Sequence, residues 1–422
     1  LVQPLPVEAP RHRARGLLWL TPWLGSGWNL YGLNGILLAH VFLNTPFVIR
    51  VLTFQWQSIP DNAWKVAAQL QVTGWRRFLL VEWPVLRGVL PGVLGFVFLL
   101  CFNSFAVVMA LGGGPRATTL EVAIYQALKF SFNPSEALVL AWTQLLVAGG
   151  LFVLFSRFGR LRWLAPPRKT TTWRPSVDRF SLWSGRLAYG LMGVFLTVPI
   201  ATLVPMAVAS GSVGMPWAVL WSVSARSLAL AFVTASVAVA LALGALTLWR
   251  RCRSRTVRRG LELASLHHLV VPGMVLSVGV YLFFMPYINW LQWGWVAVIV
   301  LNAMIALPFA YHQLKPRVFE FDANYRQQSA DLGLSGWPFW RWVYGPYLLP
   351  AVRRAWAISF VLALGDFAVF GIFGHDDWRT LPWLIYALAG SYRLQASALA
   401  SLILLSFALL ALWLLEDNKR HA

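Results

Sequence analysis

QVTGWRRFLLVEWP, residues 71–84, lies between two long apolar runs and mixes Arg76, Arg77 and Glu82 with hydrophobic side chains; GLSGWPFWRWVYGP, residues 333–346, echoes the phrase, with Gly-Trp, a later Val and the closing Pro at the same places. In register the two are 262 residues apart (71 against 333). Without a gap, that offset aligns Pro46 and Phe47 with Pro308 and Phe309, Asn62 with Asn324, Ala68 with Ala330 and Leu70 with Leu332. It continues through Gly74 and Trp75 with Gly336 and Trp337, Pro84 with Pro346, and Phe105-Ala106-Val107 with Phe367-Ala368-Val369. One residue of slippage then matches Thr119-Leu120 and Ile124-Tyr125 with Thr380-Leu381 and Ile385-Tyr386. Agreement at one register over such a length reads as an internal duplication.

Between the phrases the chain is greasy. Of its 422 residues 58% are hydrophobic and 12% charged, about half the charged share of a soluble domain. Apolar runs of about 20 residues recur, each long enough as a helix to cross a hydrocarbon core of roughly 30 Å. They predict nine spans, at 33–52, 91–112, 136–156, 187–208, 223–249, 264–285, 293–312, 350–373 and 396–415. The run at 16–28 is shorter and broken by Pro22 and glycines, so it reads at most as the end of a tenth. The fold class is therefore an all-α polytopic membrane protein.

A net charge of +20 would suit a nucleic-acid surface if the basic residues shared a face, but they sit in the connections. Eight Lys or Arg fall in 157–186 and six Arg in 250–259, against none in 209–218 or 286–292. That alternation is an orientation signal, with the basic side cytoplasmic. It puts both quoted phrases, within the connections 53–90 and 313–349, and the C-terminal EDNKRHA on the cytoplasmic side of the lipid bilayer, and it predicts no nucleic-acid partner. Cys101 in an apolar run and Cys252 in the Arg cluster have neither a reason to pair nor a metal-ligand spacing.

Six predicted spans separate the phrases, an even number, so the repeat is parallel, about an axis near the membrane normal. The halves read as 1–156, incomplete and equivalent to spans 4–6, and 187–415, with six spans. A cytoplasmic linker at 157–186 joins them, and 416–422 is a tail. If the second unit starts near residue 185, the first is expected to start roughly 77 residues before residue 1, a shortfall of about two to three spans.

DANYRQQSADLGLSGWPFWRW, residues 322–342, reads as two short helices: 322–332, stopped by Gly333 and Gly336, and a second with Pro338 early in it. A short cytoplasmic helix showing Leu332 and Leu334 beside polar neighbours suits docking in a groove of another protein. An amphipathic helix anchored in the headgroups by Trp337, Trp340 and Trp342 is the other reading. Two copies favour a partner with two equivalent grooves.

The position between spans, ADLG and SGW at 330–337 and Pro346 resemble the cytoplasmic coupling loop of binding-protein-dependent ABC importer permeases. Duplication within one chain is similar to the iron and thiamine branch of that family. YGLNGILLAHVFLNTPF at 31–47, GWRRFLLVEWP at 74–84 and LGGGPRATTLEVAIYQAL at 111–128 are most similar to its thiamine members. The resemblance implies a bacterial inner-membrane pore that takes thiamine and its phosphates from a periplasmic binding protein and is driven by a cytoplasmic ATPase dimer. A ferric-iron permease of the same branch is the alternative within transport.

The resemblance implies that the ATPase is gripped through Ala67, Ala68, Leu70, Gly74 and Pro84 in the first half. In the second it implies Ala330, Asp331, Leu332, Gly333, Gly336 and Pro346. The loop pattern of the family has an acidic residue, two alanines and a later glycine. Here the acidic position holds Lys65 and Gln327, and the glycine is Gln71 in the first half and Gly333 in the second, so unequal docking surfaces are expected. The chain has no G-x-x-x-x-G-K-[ST] loop, so ATP and magnesium are expected on the partner and no cofactor or metal on this chain.

Asp366 lies inside an apolar span, where an ionisable group is costly enough to suggest function. Its counterpart is Ser104, beside Asn103. The three either line a pathway, where a carboxylate suits a cationic thiazolium, or hold the bundle together. His40 and Asn44, one turn apart, face the pathway or hydrogen-bond a neighbour; His267 and His268 read as interfacial, and His375, Asp376 and Asp377 as a solvated turn. No cluster of nucleophile, base and ligand suggests an enzyme. An ATPase-independent secondary transporter is expected to carry more intramembrane charges than Asp366.

Overall fold

A computed structural model describes residues 31–112, 117–158, 179–209, 217–252, 254–264 and 271–415. The run at 16–28, most of the linker 157–186, His267 and His268, and the tail 416–422 lie outside the described residues.

The first half contains α1 (Leu33–Gln57), α2 (Asp61–Gln69), α3 (Gly74–Leu86), α4 (Leu90–Phe102), α5 (Phe105–Leu111), α6 (Leu120–Lys129) and α7 (Pro134–Phe158). The second contains α8 (Arg179–Ala209), α9 (Trp217–Arg251), α10 (Arg255–Ala264), α11 (Gly273–Phe284), α12 (Trp290–Asn324) and α13 (Arg326–Asp331). It ends with α14 (Gly336–Leu364), α15 (Ala368–Phe373), α16 (Leu381–Gly390) and α17 (Leu394–Leu415). Among the described residues there is no strand.

Seven helices (α1, α7, α8, α9, α12, α14 and α17) are long and apolar enough to cross a membrane, and α3 with α4, bent by 60° at their junction, makes an eighth. Three expected spans differ in detail. The expected span 91–112 stops at Phe102 and resumes as α5, and that at 350–373 stops at Leu364 and resumes as α15. Within 264–285 the described residues hold only the 12-residue α11, whose start is set by Pro272. At 1.5 Å per residue α11 is about 18 Å long and cannot cross alone.

The crossing is nevertheless required. Arg250 Nε donates to Asp322 Oδ2 at 2.9 Å, which sets the ends of α9 and α12 at one level. Both helices reach that level travelling the same way, so the chain between them must climb back, and α11 is part of the return. α9 and α12 have 35 residues each. Each is about 52 Å long, so roughly 20 Å stands beyond the hydrocarbon. The short helix α13 follows the end of α12, and α2 the end of α1.

Small residues hold α9 to α12. Ala238 and Ala242 of α9 meet Ala303, Ala306 and Ala310 of α12, while Ala231 and Ala235 pack against Phe360 and Leu364 of α14, each alanine almost fully buried. In lipid, where apolar surface gains little by leaving its solvent, close backbone approach is what makes helices associate. Buried Thr234 shares a small cavity with Val298 and Asn302 of α12, and buried Ser227 accepts from the Leu381 N–H of α16 at 2.7 Å.

Among the described residues, one apolar core draws on both halves. It joins Ile36, Phe105, Val122 and Ile124 of the first half to Met274, Val278, Phe367 and Ile372 of the second. Nearer the loops the buried clusters belong to one half each: Val51, Val89 and Val93 in the first, Phe321, Tyr344 and Leu348 in the second.

Candidate coupling loops and the polar breaks behind them

α2 ends with Gln71 donating its N–H to the Ala68 carbonyl at 3.1 Å and Val72 donating to the Ala67 carbonyl at 2.9 Å. At the same register Gly333 donates to Ala330 at 2.9 Å and Leu334 to Ser329 at 3.1 Å. This is the Schellman termination, which needs a left-handed residue just past the helix. Gln71 provides it at φ 53° and Gly333 at φ 68°. A second left-handed glycine follows in each copy, Gly74 at 55° and Gly336 at 65°. Nothing lies within 4 Å of where a Cβ would stand on either, so the constraint is conformational, not one of space. Each loop then enters a π-helical turn, Phe78–Glu82 and Trp340–Tyr344, again 262 residues apart.

The expected helix 322–332 is shorter in the structure. α12 runs through Asn324, bends at Tyr325, and only Arg326–Asp331 forms the separate element. The eleven-residue reading missed the bend because no Gly or Pro marks it.

Most of the expected loop residues are presented to the outside. Ala68, Ala330 and Asp331 are exposed, while Ala67 and Ser329 are buried against their own halves. Pro84 and Pro346 stand two residues past the π-helical turns, inside α3 and α14, where each removes a rung of the helical hydrogen-bond ladder. Leu70 is 69% and Trp75 70% exposed, and Leu332 74% and Trp337 73%. Four large apolar side chains thus stand out at matched points of the two copies, a patch of the kind that marks an interaction surface.

The two loops are not equally supported. Under the second, Phe321 and Tyr344 are almost fully buried with ring centroids 4.9 Å apart, and the Arg250 guanidinium lies 4.7 Å above Tyr344 while holding Asp322. Under the first, Trp64 is buried edge-on to Trp56, and Arg77, 5.9 Å over Trp64, pairs with Glu82 at 3.4 Å.

At the far end of α14, Asp366 occupies the break before α15. Its Oδ1 accepts from the Val369 N–H at 3.2 Å and its Oδ2 from the Phe370 N–H at 3.1 Å, and the Asn302 amide also bonds it. The carboxylate caps α15. Beside it is a cavity the size of about one water molecule, lined by Ser227, Thr234, Asn302 and Thr380. In the first half Ser104 makes no cap to α5, and the polar contacts shift to Asn103, whose Oδ1 accepts from Gln144 Nε2 at 3.3 Å. Gln144 also donates to the buried Glu121 at 3.2 Å. Sequence reading passed over Glu121, Gln144 and Asn302; the signal was there, since Glu121 is an acid in an apolar run and Asn302 aligns with His40 at the 262 offset.

Asn44 Nδ2 donates to the His40 carbonyl at 2.9 Å and lies 3.5 Å from Cys101 Sγ, so it joins α1 to α4. His375 Nδ1 lies 3.0 Å from Asp377 Oδ2 in an exposed turn. Among the described residues no three His, Cys, Asp or Glu side chains converge as metal ligands would.

No family model matches the chain. It is 36% identical over 419 residues to the thiamine transport system permease protein of Salmonella typhimurium, covering 95% of this chain and 77% of the other. To the protein of that name from Haemophilus influenzae it is 32% identical over 405 residues, 92% of this chain and 73% of the other. It is also 32% identical over 139 residues, 32% of this chain and 58% of the other, to the molybdenum transport system permease protein of Azotobacter vinelandii.

Proposed function

The chain belongs to the family of thiamine transport system permeases, and from that membership we propose that it is the pore subunit of an ATP-driven thiamine importer in the bacterial inner membrane. The two loops and the C-terminus face the cytoplasm, and the core shared by both halves lies toward the periplasm, where a binding protein delivers thiamine or its phosphates. The chain does not hydrolyse ATP. ATP and magnesium bind to a separate pair of ATPase subunits.

The observation that carries this reading is the recurrence of one docking element at one register: a Schellman-ended helix followed by a left-handed glycine, with an exposed leucine and tryptophan. One copy would suit many roles. Two, one for each half, suit a partner that is itself paired. Closure of the ATPase pair on ATP moves the loops toward each other. Each loop passes through its π-turn into α3 and α4 or into α14, so the push reaches the polar breaks at Asn103–Ser104 and Gly365–Asp366, about 20 to 30 Å away. The halves then rock as rigid bodies about their shared core.

The test is co-purification of the ATPase with the full chain. Leu70→Glu and Leu332→Glu together place a charge in each apolar contact, and loss of a contact of hot-spot strength weakens binding by about 30-fold or more. An ATPase that stays bound to the double variant at wild-type affinity would sink the coupling role of these loops.

A further inference from the structure

A path between two halves related by an axis must run along that axis, and a side chain that touches its own symmetry mate stands on it. Phe105 and Phe367 are such mates, at the 262 offset, and their rings stack with centroids 5.3 Å apart and planes 26° from parallel. Both are almost fully buried, 3% and 7% exposed. Tyr125 and Tyr386, themselves aligned mates, close the sides: Tyr125 packs edge-on to Phe105 at 5.2 Å and Tyr386 against Phe367 at 5.1 Å. Each phenylalanine directly follows a helix break, Asn103–Ser104 or Gly365–Asp366, so it opens the segment just beyond the rigid helix driven by its loop.

We propose that Phe105 and Phe367 are the closed gate of the pathway, and that on opening their ring faces, with Tyr125 and Tyr386, form the subsite that passes a flat organic cation. The gate follows from position: an apolar stack on the axis, inside the only core among the described residues that both halves share, leaves no room for a solute. The cation preference follows from chemistry and rests on the function proposed above. Aromatic faces carry negative potential and attract a cation within about 6 Å of the ring centre. Separating the stack presents two such faces at the moment the solute must leave water.

Passive leak tests the gate independently of substrate. Liposomes containing the full chain and loaded with mannitol, without ATP or partners, are expected to lose it at least ten times faster when Phe105→Ala and Phe367→Ala are combined. The single Phe105→Ala, removing one ring, is expected to leak at an intermediate rate and serves if the double variant does not fold. Liposomes of monodisperse alanine variants as tight as wild type would overturn the gate. For the subsite, Phe105→Leu with Phe367→Leu keeps apolar bulk without a π face. The complete transporter carrying it is expected to stay tight to mannitol and to lose fivefold or more in kcat/KM for thiamine. Unchanged thiamine transport would overturn the cation subsite. Failure of the wild-type transporter to move thiamine at all would overturn the substrate reading, with the leak still deciding the gate.

Discussion

Gln71 is the residue at which the two halves differ most tellingly. It holds φ at 53° in the position where its mate is glycine, and a side-chain-bearing residue costs about 1–2 kcal/mol in that region. Gln71→Gly is expected to stabilise the first loop by about 1 kcal/mol, near fivefold less local opening, and Gly333→Gln to loosen the second by as much. Protease nicking at each loop in the purified chain reads both changes, and equal nicking of all variants would contradict them. Asp366 is decided by its partners: two backbone N–H groups and Asn302 hold the carboxylate as a helix cap. Asn keeps one accepting oxygen and turns its NH2 toward the other backbone donor, so it retains one of the two bonds, whereas Ala retains neither and forfeits about 1 kcal/mol or more. Asp366→Asn is therefore expected to unfold at a temperature between the wild type and Asp366→Ala. An Asn variant as stable as the wild type would contradict a cap that uses both oxygens.

At the scale of elements, the seam between α9 and α12 depends on side chains no larger than alanine. Ala238 and Ala303 are both fully buried within it. Ala238→Leu is expected to cost about 1–3 kcal/mol by overpacking, seen as a lower unfolding temperature in detergent, whereas Leu at the exposed Val233 should cost little. The spans themselves were legible in the sequence, because long apolar runs have one stable form in lipid. The breaks were not. Asn103–Ser104 and Gly365–Asp366 are two-residue interruptions in runs whose average hydropathy stays high, so an averaging window slides over them. Within the expected span 264–285 the start of α11 was hidden in the same way: apolar residues continue on both sides of Pro272, but the proline fixes where its helix starts.

Across the whole molecule, the internal repeat was legible because identical residues at one offset survive divergence of the rest. The same comparison aligned Phe105 with Phe367 and Tyr125 with Tyr386, yet could not tell that mates meet. Contact on an axis is a property of how halves pack, and a linear alignment carries no distances. Glu121 and Gln144 went unseen for a similar reason, since their partnership spans 23 residues and a turn between helices. The loops were found by motif and their inequality by departure from it, and the structure adds a physical basis. The second loop rests on a buried aromatic stack tied by Arg250 and Asp322, and the first on one buried tryptophan, Trp64, beside an Arg77–Glu82 pair that is equally sheltered. Leu332→Glu alone is accordingly expected to release more ATPase than Leu70→Glu alone in the co-purification assay, and the reverse order would contradict that difference in support.

The most direct measurement is uptake of radiolabelled thiamine into proteoliposomes holding the full chain with its ATPase, binding protein outside and ATP inside. Accumulation above the external concentration is expected with ATP and its loss with Leu70→Glu and Leu332→Glu combined. Accumulation without ATP, or undiminished in that variant, would contradict a pore driven through the two loops.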